Sequence, residues 1–278
     1  MTNGISLSLS VSPIDDGPVI IDDGQSGAIV AWNHSVGSGY ILAQRVLSDG
    51  VAFWQPGGIT VSLNSGYFPV MVSDGSNGAI LAWEGDRIYS QRVFSDGSPY
   101  WGLNGLAFGS GYVFNPSLVR DGSGGAFIAW QQGPNFSYSN IFAQHILSNS
   151  TQSWASSGVT VSTIPVYQQV PRMVSDGYGG VVIVWEDTAS ATNDYMNYSI
   201  WAQRVDWTGA TQWITDGVTV ITGTNSTLSD LVSDMGHGGI AVWYDQRNSD
   251  TTGTDVYAQR VADFTVRSTV YLPLILRQ

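Results

Sequence analysis

Cysteine is absent from the 278 residues, which excludes disulfides, thiol catalysis and any cysteine-ligated metal centre. Lysine is absent too: all ten basic side chains are Arg, and the net charge is −12. That balance argues against a nucleic-acid partner, whose phosphates need cations, and against anionic membrane surfaces. Glutamate occurs only at Glu84 and Glu186. The three His residues, His34, His145 and His237, are too scattered to share a metal ion. No apolar run is long enough to cross a bilayer, so no membrane insertion is expected. The opening "MTNGISLSLS" lacks both the basic start and the continuous apolar stretch of a secretory signal. What is plentiful is Gly (33), Tyr (13) and Trp (11), beside many Ser, Thr and Asn. This is the composition of a mature extracellular or cell-surface protein.

The chain repeats itself. "DDGQSGAIVAW" ends at Trp32, "SDGSNGAILAW" at Trp83, "RDGSGGAFIAW" at Trp130, "SDGYGGVVIVW" at Trp185 and "SDMGHGGIAVW" at Trp243. An Asp stands nine residues before each Trp: Asp23, Asp74, Asp121, Asp176 and Asp234. Each Trp is followed by "LAQRV", "YSQRV", "FAQHI", "WAQRV" or "YAQRV", and in four units by a further Trp and a Gly-led alternating run: "GITVS", "GLAFG", "GVTVS" and "GVTVI". The Trp-to-Trp steps are 51, 47, 55 and 58 residues. Asp-Gly pairs mark tight turns, so each unit holds four short strands. Repeated four-stranded antiparallel units of this size read as propeller blades.

The expected fold is therefore all-β: a five-bladed β-propeller of four-stranded antiparallel blades over residues 1–263, with repeats near 18–68, 69–115, 116–170, 171–229 and 230–263 and an extra C-terminal strand or tail over 264–278. The fifth unit lacks the last alternating run. "GISLSLS" (4–10) matches "GITVSLN" (58–64), so an N-terminal strand over 4–12 is expected to complete the last blade. The tail "TVRSTVYLPLILRQ" competes for the same place, since its alternating apolar residues also suit a strand.

With its "SDGxGGAxxAW" and "YAQRV" units, the chain over roughly 18–263 resembles the secreted bacterial propeller-repeat proteins. The resemblance implies the fold and export, and no particular activity.

Two terminal strands and one vacant place suggest strand exchange between copies. The leading expectation is accordingly a non-enzymatic extracellular structural protein that assembles with itself into a filament or surface layer. Its contact residues would be Ile5, Leu7, Leu9 and Val11 at one end and Val266, Val270, Leu272, Leu274 and Leu276 at the other. The alternative is a lectin-like propeller binding glycans on its loop face, where the links differ most and carry Tyr67, Phe68, Tyr112, Phe114 and Tyr167. A glycosidase would need paired carboxylates near the axis. The first strands, "PVII", "PVMV", "PSLV", "PRMV" and "DLVS", offer no such pair, so no catalytic residue, no metal site and no cofactor is expected. Asp245, Asp250 and Asp255 are the one candidate for Ca²⁺, at a spacing unlike an EF-hand. Sequons at Asn33, Asn135, Asn149, Asn197 and Asn225 are expected in links, open to glycosylation. The recurrent Asp, Arg and Trp residues are expected to be scaffold.

Overall fold

The computed structural model describes residues 4–9, 14–35, 39–135, 137–188, 198–222, 225–248 and 253–262. Among these there is no helix, and the strands form five separate antiparallel sheets in sequence order. The first sheet is β1 (Ile14–Asp22), β2 (Ala28–Ser35), β3 (Tyr40–Val46) and β4 (Ile59–Thr60); the second is β5 (Tyr67–Ser73), β6 (Ala79–Glu84), β7 (Ile88–Val93) and β8 (Leu106–Phe108). The third is β9 (Tyr112–Arg120), β10 (Ala126–Asn135), β11 (Tyr138–Ile146) and β12 (Val159–Thr160); the fourth is β13 (Gln168–Ser175), β14 (Val181–Thr188), β15 (Tyr198–Val205) and β16 (Val218–Ile221). The fifth has three strands among the described residues, β17 (Thr227–Ser233), β18 (Gly239–Asp245) and β19 (Asp255–Val261). The chain divides into two compact units, Met1–Ile128 with Ile146–Gln152, and Ala129–His145 with Ser153–Gln278.

Each repeated residue has one mechanical task. The Asp closes the turn between the first two strands: Asp23 Oδ1 accepts the N–H groups of Gln25 (2.8 Å) and Gly27 (2.7 Å). Its Oδ2 accepts Arg45 Nε at 2.8 Å, which ties the turn to the third strand. The pairs Asp74–Arg92, Asp176–Arg204 and Asp234–Arg260 repeat this ion pair. The Gln before the Arg, or before His145 in the third sheet, is fully buried in the first four sheets. Gln44 donates to Gln55 O and accepts from the N–H groups of Arg45 and Trp54, so one side chain folds the link after the third strand. That link's Trp then reaches onward: Trp54 Nε1 donates to Ser95 O (3.0 Å), and Trp154 Nε1 to Trp207 O (3.1 Å). Gly58 opens the fourth strand at φ +87°, with Ala43 O and the Trp32 ring so close that a Cβ would clash.

The strand-two Trp residues fill the space between sheets. Trp83 packs with Ile29, Ala31, Ile41 and Ala43 of the first sheet, and Trp243 with Val182, Val184, Ile200 and Ala202 of the fourth. The fifth sheet departs from the rest at its last strand. Ile41, Ile88, Ile141 and Ile200 are fully buried, whereas Val256 at the same repeat position is 57% exposed. Ala258 is exposed where Ala43, Ala143 and Ala202 are buried.

The expected N-terminal strand is not seen as one. Residues 4–9 join no sheet, and residues 10–13 lie outside the described residues. Leu9 lies against Gly57, and Leu7 shares a small crevice with Trp32 and Pro18.

Candidate functional site

The start of each first strand and the end of each second strand meet at one end of the sheet, where the links between units also lie. Four first strands carry an X-Pro step there: Gly17-Pro18, Phe68-Pro69, Asn115-Pro116 and Val170-Pro171. The residue before Pro stands at positive φ: +56°, +51°, +53° and +50°. The pairing register slips at this point, between Tyr67 and Val70 and between Gln169 and Arg172. Left-handed backbone at Phe68 and Val170 is strained, and strain of this kind persists where its surroundings fix it. One result is an aromatic side chain turned outward: Phe68 is 68% exposed, beside Tyr67 at 38%. Tyr112 at the start of β9 is 41% exposed, and Phe114 and Tyr167 are half-buried.

The two residues after each strand-two Trp line the same end. At the first position, Glu84 accepts the Asn115 N–H at 2.7 Å, and Glu186 accepts the Leu228 N–H at 2.7 Å and Gln169 Nε2 at 2.9 Å. Each carboxylate thus latches the first strand of the following sheet. Burial raises both above the ordinary Glu range, against the pull of those donors. At the second position, Gln132 accepts the Trp130 indole N–H (3.0 Å) and Asp245 that of Trp243 (3.3 Å). His34 meets Asp15 at 2.6 Å. Asp187 is different. It is 4% exposed, its Oδ1 has no partner among the described residues, and burial pushes its carboxyl up to about 7. A buried carboxyl that holds its proton near neutrality is able to donate it.

The sequence-based candidates fall as follows. Tyr67, Phe68, Tyr112 and Phe114 lie at this end of their strands, and Tyr167 directly precedes β13. Ile5 and Leu9 are exposed, and Leu7 is half-buried beside Trp32 of its own unit. Val11, Val266, Val270, Leu272, Leu274 and Leu276 lie outside the described residues. Asn33 is a correction: it sits inside β2, 4% exposed, donating to Asp16 and Ser35, so no glycosyl transfer reaches it in the folded chain. Asn135 and Asn149 are exposed, Asn225 is half-buried and donates to Gln246, and Asn197 lies outside the described residues. The Asp245 carboxylate is taken by Arg247 and Trp243, and Asp250 is outside the described residues, so a Ca²⁺ site there gains nothing. Sequence reasoning missed Asp187; counting two residues on from each Trp would have found it.

No known family profile and no curated protein matches the chain. Solved structures do. A polysaccharide lyase, an ulvan lyase bound to -[GlcA(1-4)Rha3S]-, is similar at a TM-score of 0.56 and 8% identity, over 90% of this chain and 71% of that one. A protein of unknown function from Dyadobacter fermentans gives 0.56 at 10% identity, over 98% and 85%. An endo-arabinase from Bacteroides thetaiotaomicron gives 0.45 at 14%, over 96% and 100%.

The fold is all-β, five antiparallel sheets of three or four strands among the described residues. At such identities the likeness reaches no further than the fold, but it corrects one expectation. A polysaccharide lyase stands among the chains of similar fold, so the lack of an acid pair in the first strands is no ground for excluding catalysis.

Proposed function

We propose that this chain is an extracellular carbohydrate-binding β-propeller of five blades, taking a glycan on the link end of its sheets. The observation that carries the reading is the set of outward aromatic rings, Tyr67, Phe68 and Tyr112, held at that end by proline bulges. Flat apolar rings on a rigid sheet offer a stacking surface at little entropic cost, and neighbouring Asp and Asn side chains offer hydrogen bonds to hydroxyls. The ulvan lyase among the structural neighbours, bound to -[GlcA(1-4)Rha3S]-, supports the same ligand class.

Ring closure belongs to this reading. In the regular repeats, the residue about five after the opening Gly meets the residue just before the next unit's opening Gly. Thr163 bonds Asp216 in this way, and Ser62 and Asn64 bond Asn104 O. Leu9, five residues after Gly4, lies against Gly57, the residue before Gly58. Gly4 also has the positive φ of the other opening glycines, +68° beside +67° at Gly105. Residues 4–9 therefore stand towards the first sheet as a preceding fourth strand would. Among the described residues β19 has no partner on its outer edge.

Glycan-array binding followed by calorimetry tests the function. Tyr67→Ala with Tyr112→Ala is expected to weaken the best array ligand at least tenfold; unchanged affinity refutes the assignment. A second reading, that the bound glycan is also cleaved, is favoured by Asp187. The same mixtures are therefore followed for new chain ends, with Asp187→Asn expected to abolish any that form.

A further inference from the structure

The five repeats act as controls for one another at the far end of the first strands. The last residue of the strand caps the turn in four of them. Asp22 accepts the Gly24 N–H at 2.7 Å; Ser73, Ser175 and Ser233 accept those of Gly75, Gly177 and Met235, each at 3.2 Å. The third repeat has Arg120 instead, which has no acceptor to offer. Among the described residues, the Gly122 N–H has no acceptor and Arg120 makes neither hydrogen bond nor ion pair. The third repeat has thus given up a turn cap, and the exposed Arg120 guanidinium it gained holds nothing among the described residues.

Arg120 stands over a cavity of about 550 Å³ whose wall includes Asp74, Arg92, Gly122, Ser123 and Ser148. Asp74 and Arg92 neutralise each other at 2.8 Å, so among the residues that line the cavity Arg120 is the remaining cation. The volume is that of an ordinary small-molecule site. An unpaired guanidinium fork, an unpaired backbone N–H and serine hydroxyls are together the donor set for an oxyanion, and Arg recognises carboxylate or sulfate with two parallel hydrogen bonds.

We propose that this cavity binds the carboxylate or sulfate group of a small anionic ligand, with Arg120 as the cation and the Gly122 N–H beside it. The site lies at the opposite end of β9 from Tyr112 and stands apart from the link-end reading. The oxyanion comes either free or carried on a sugar, and three probes separate the sources: sodium sulfate, glucuronate and uncharged glucose.

Amide spectra of the full ¹⁵N-labelled chain are recorded with each probe, on the wild type, Arg120→Ser and the Tyr67→Ala/Tyr112→Ala double variant. Saturable shifts at Gly122 and Ser123 with glucuronate, absent with glucose and lost in Arg120→Ser, support a sugar acid. The same pattern with sulfate alone supports a free anion. Both patterns persist in the aromatic double variant, so failure of the link-end function leaves this result readable. Arg120→Ser restores the repeat's own cap, and its thermal midpoint is expected to equal or exceed the wild type, which rules out misfolding as the cause of lost binding. No shift at Gly122 with either anion, or equal shifts in wild type and Arg120→Ser, overturns the proposal.

Discussion

Replacing Gln91 by Ala tests whether the conserved device of the repeat is what holds a blade together. Gln91 is fully buried. Its Nε2 donates to Gly102 O at 2.6 Å, and its Oε1 accepts the N–H groups of Arg92 (3.1 Å) and Trp101 (2.8 Å). Alanine leaves those three backbone groups without the amide, inside a region water does not fill. A buried polar group without a partner costs roughly 1–3 kcal/mol, and the three share one network, so they do not sum fully. The expected loss is about 3–5 kcal/mol. Gln259 provides the control. It holds the same place in the fifth repeat, is half-buried, and makes no side-chain hydrogen bond among the described residues. Gln259→Ala should cost under about 0.5 kcal/mol, as surface changes do. Urea unfolding of the full chain, followed by tryptophan fluorescence, measures both. If Gln91→Ala costs no more than Gln259→Ala, the amide is not the organiser of the link, and the fourfold recurrence of its three hydrogen bonds has another origin.

The ion pairs should divide the same way. Arg45→Met strips Asp23 of its buried partner and is expected to cost about 3 kcal/mol, whereas Arg260→Met, whose side chain is 61% exposed, should cost under about 1 kcal/mol. Burial works against the Asp23 carboxylate, but the N–H groups of Gln25 and Gly27 and the Arg45 guanidinium outweigh it and hold its pKa below 3.8. Its contribution to stability is therefore present above that value and lost as pH falls through the lower folded-state value, so unfolding midpoints of wild type and Arg45→Met should converge in acid. Asp187 has the opposite sign: its folded pKa is raised from 3.8 to about 7, so its contribution falls as pH rises across that window. Asp187→Asn removes the dependence and should exceed the wild type above pH ~7 by on the order of 4 kcal/mol at most. Parallel pH profiles for the two chains would refute the buried-acid assignment.

Much of the fold is written in the sequence because each repeated residue answers to a local rule. Asp-Gly at the turn, the Arg on the third strand and the Trp between sheets follow from turn geometry, charge pairing and apolar volume, and all three stand where spacing places them. What spacing does not carry is how far a strand runs past its marker. β2 continues to Ser35, because His34 pairs with Tyr40 across the hairpin, and that extension buries Asn33 where a link was expected. The proline bulges were equally hidden. A Pro after Phe68 or Val170 looks like an ordinary strand start, and only the register slip shows that the preceding residue has turned into the left-handed region. The raised pKa of Asp187 depends on its burial in the folded chain, which no local pattern encodes.

Repetition also supplies a criterion for function that a unique fold lacks. Where copies agree, as at Gln44, Gln91, Gln144 and Gln203, one physical requirement explains them all, and a ligand need not be invoked. Where one copy differs and another residue takes over its task, the change is neutral to the scaffold: Asp22 caps its turn as Ser73 does. Asp187 and Arg120 satisfy neither condition. Among the described residues, one leaves a carboxylate oxygen buried without a partner, and the other leaves a turn uncapped and a guanidinium unpaired. Both departures weaken the chain locally, at opposite ends of their sheets. The first lies in the fourth repeat and the second in the third, and these two departures direct the search for chemistry.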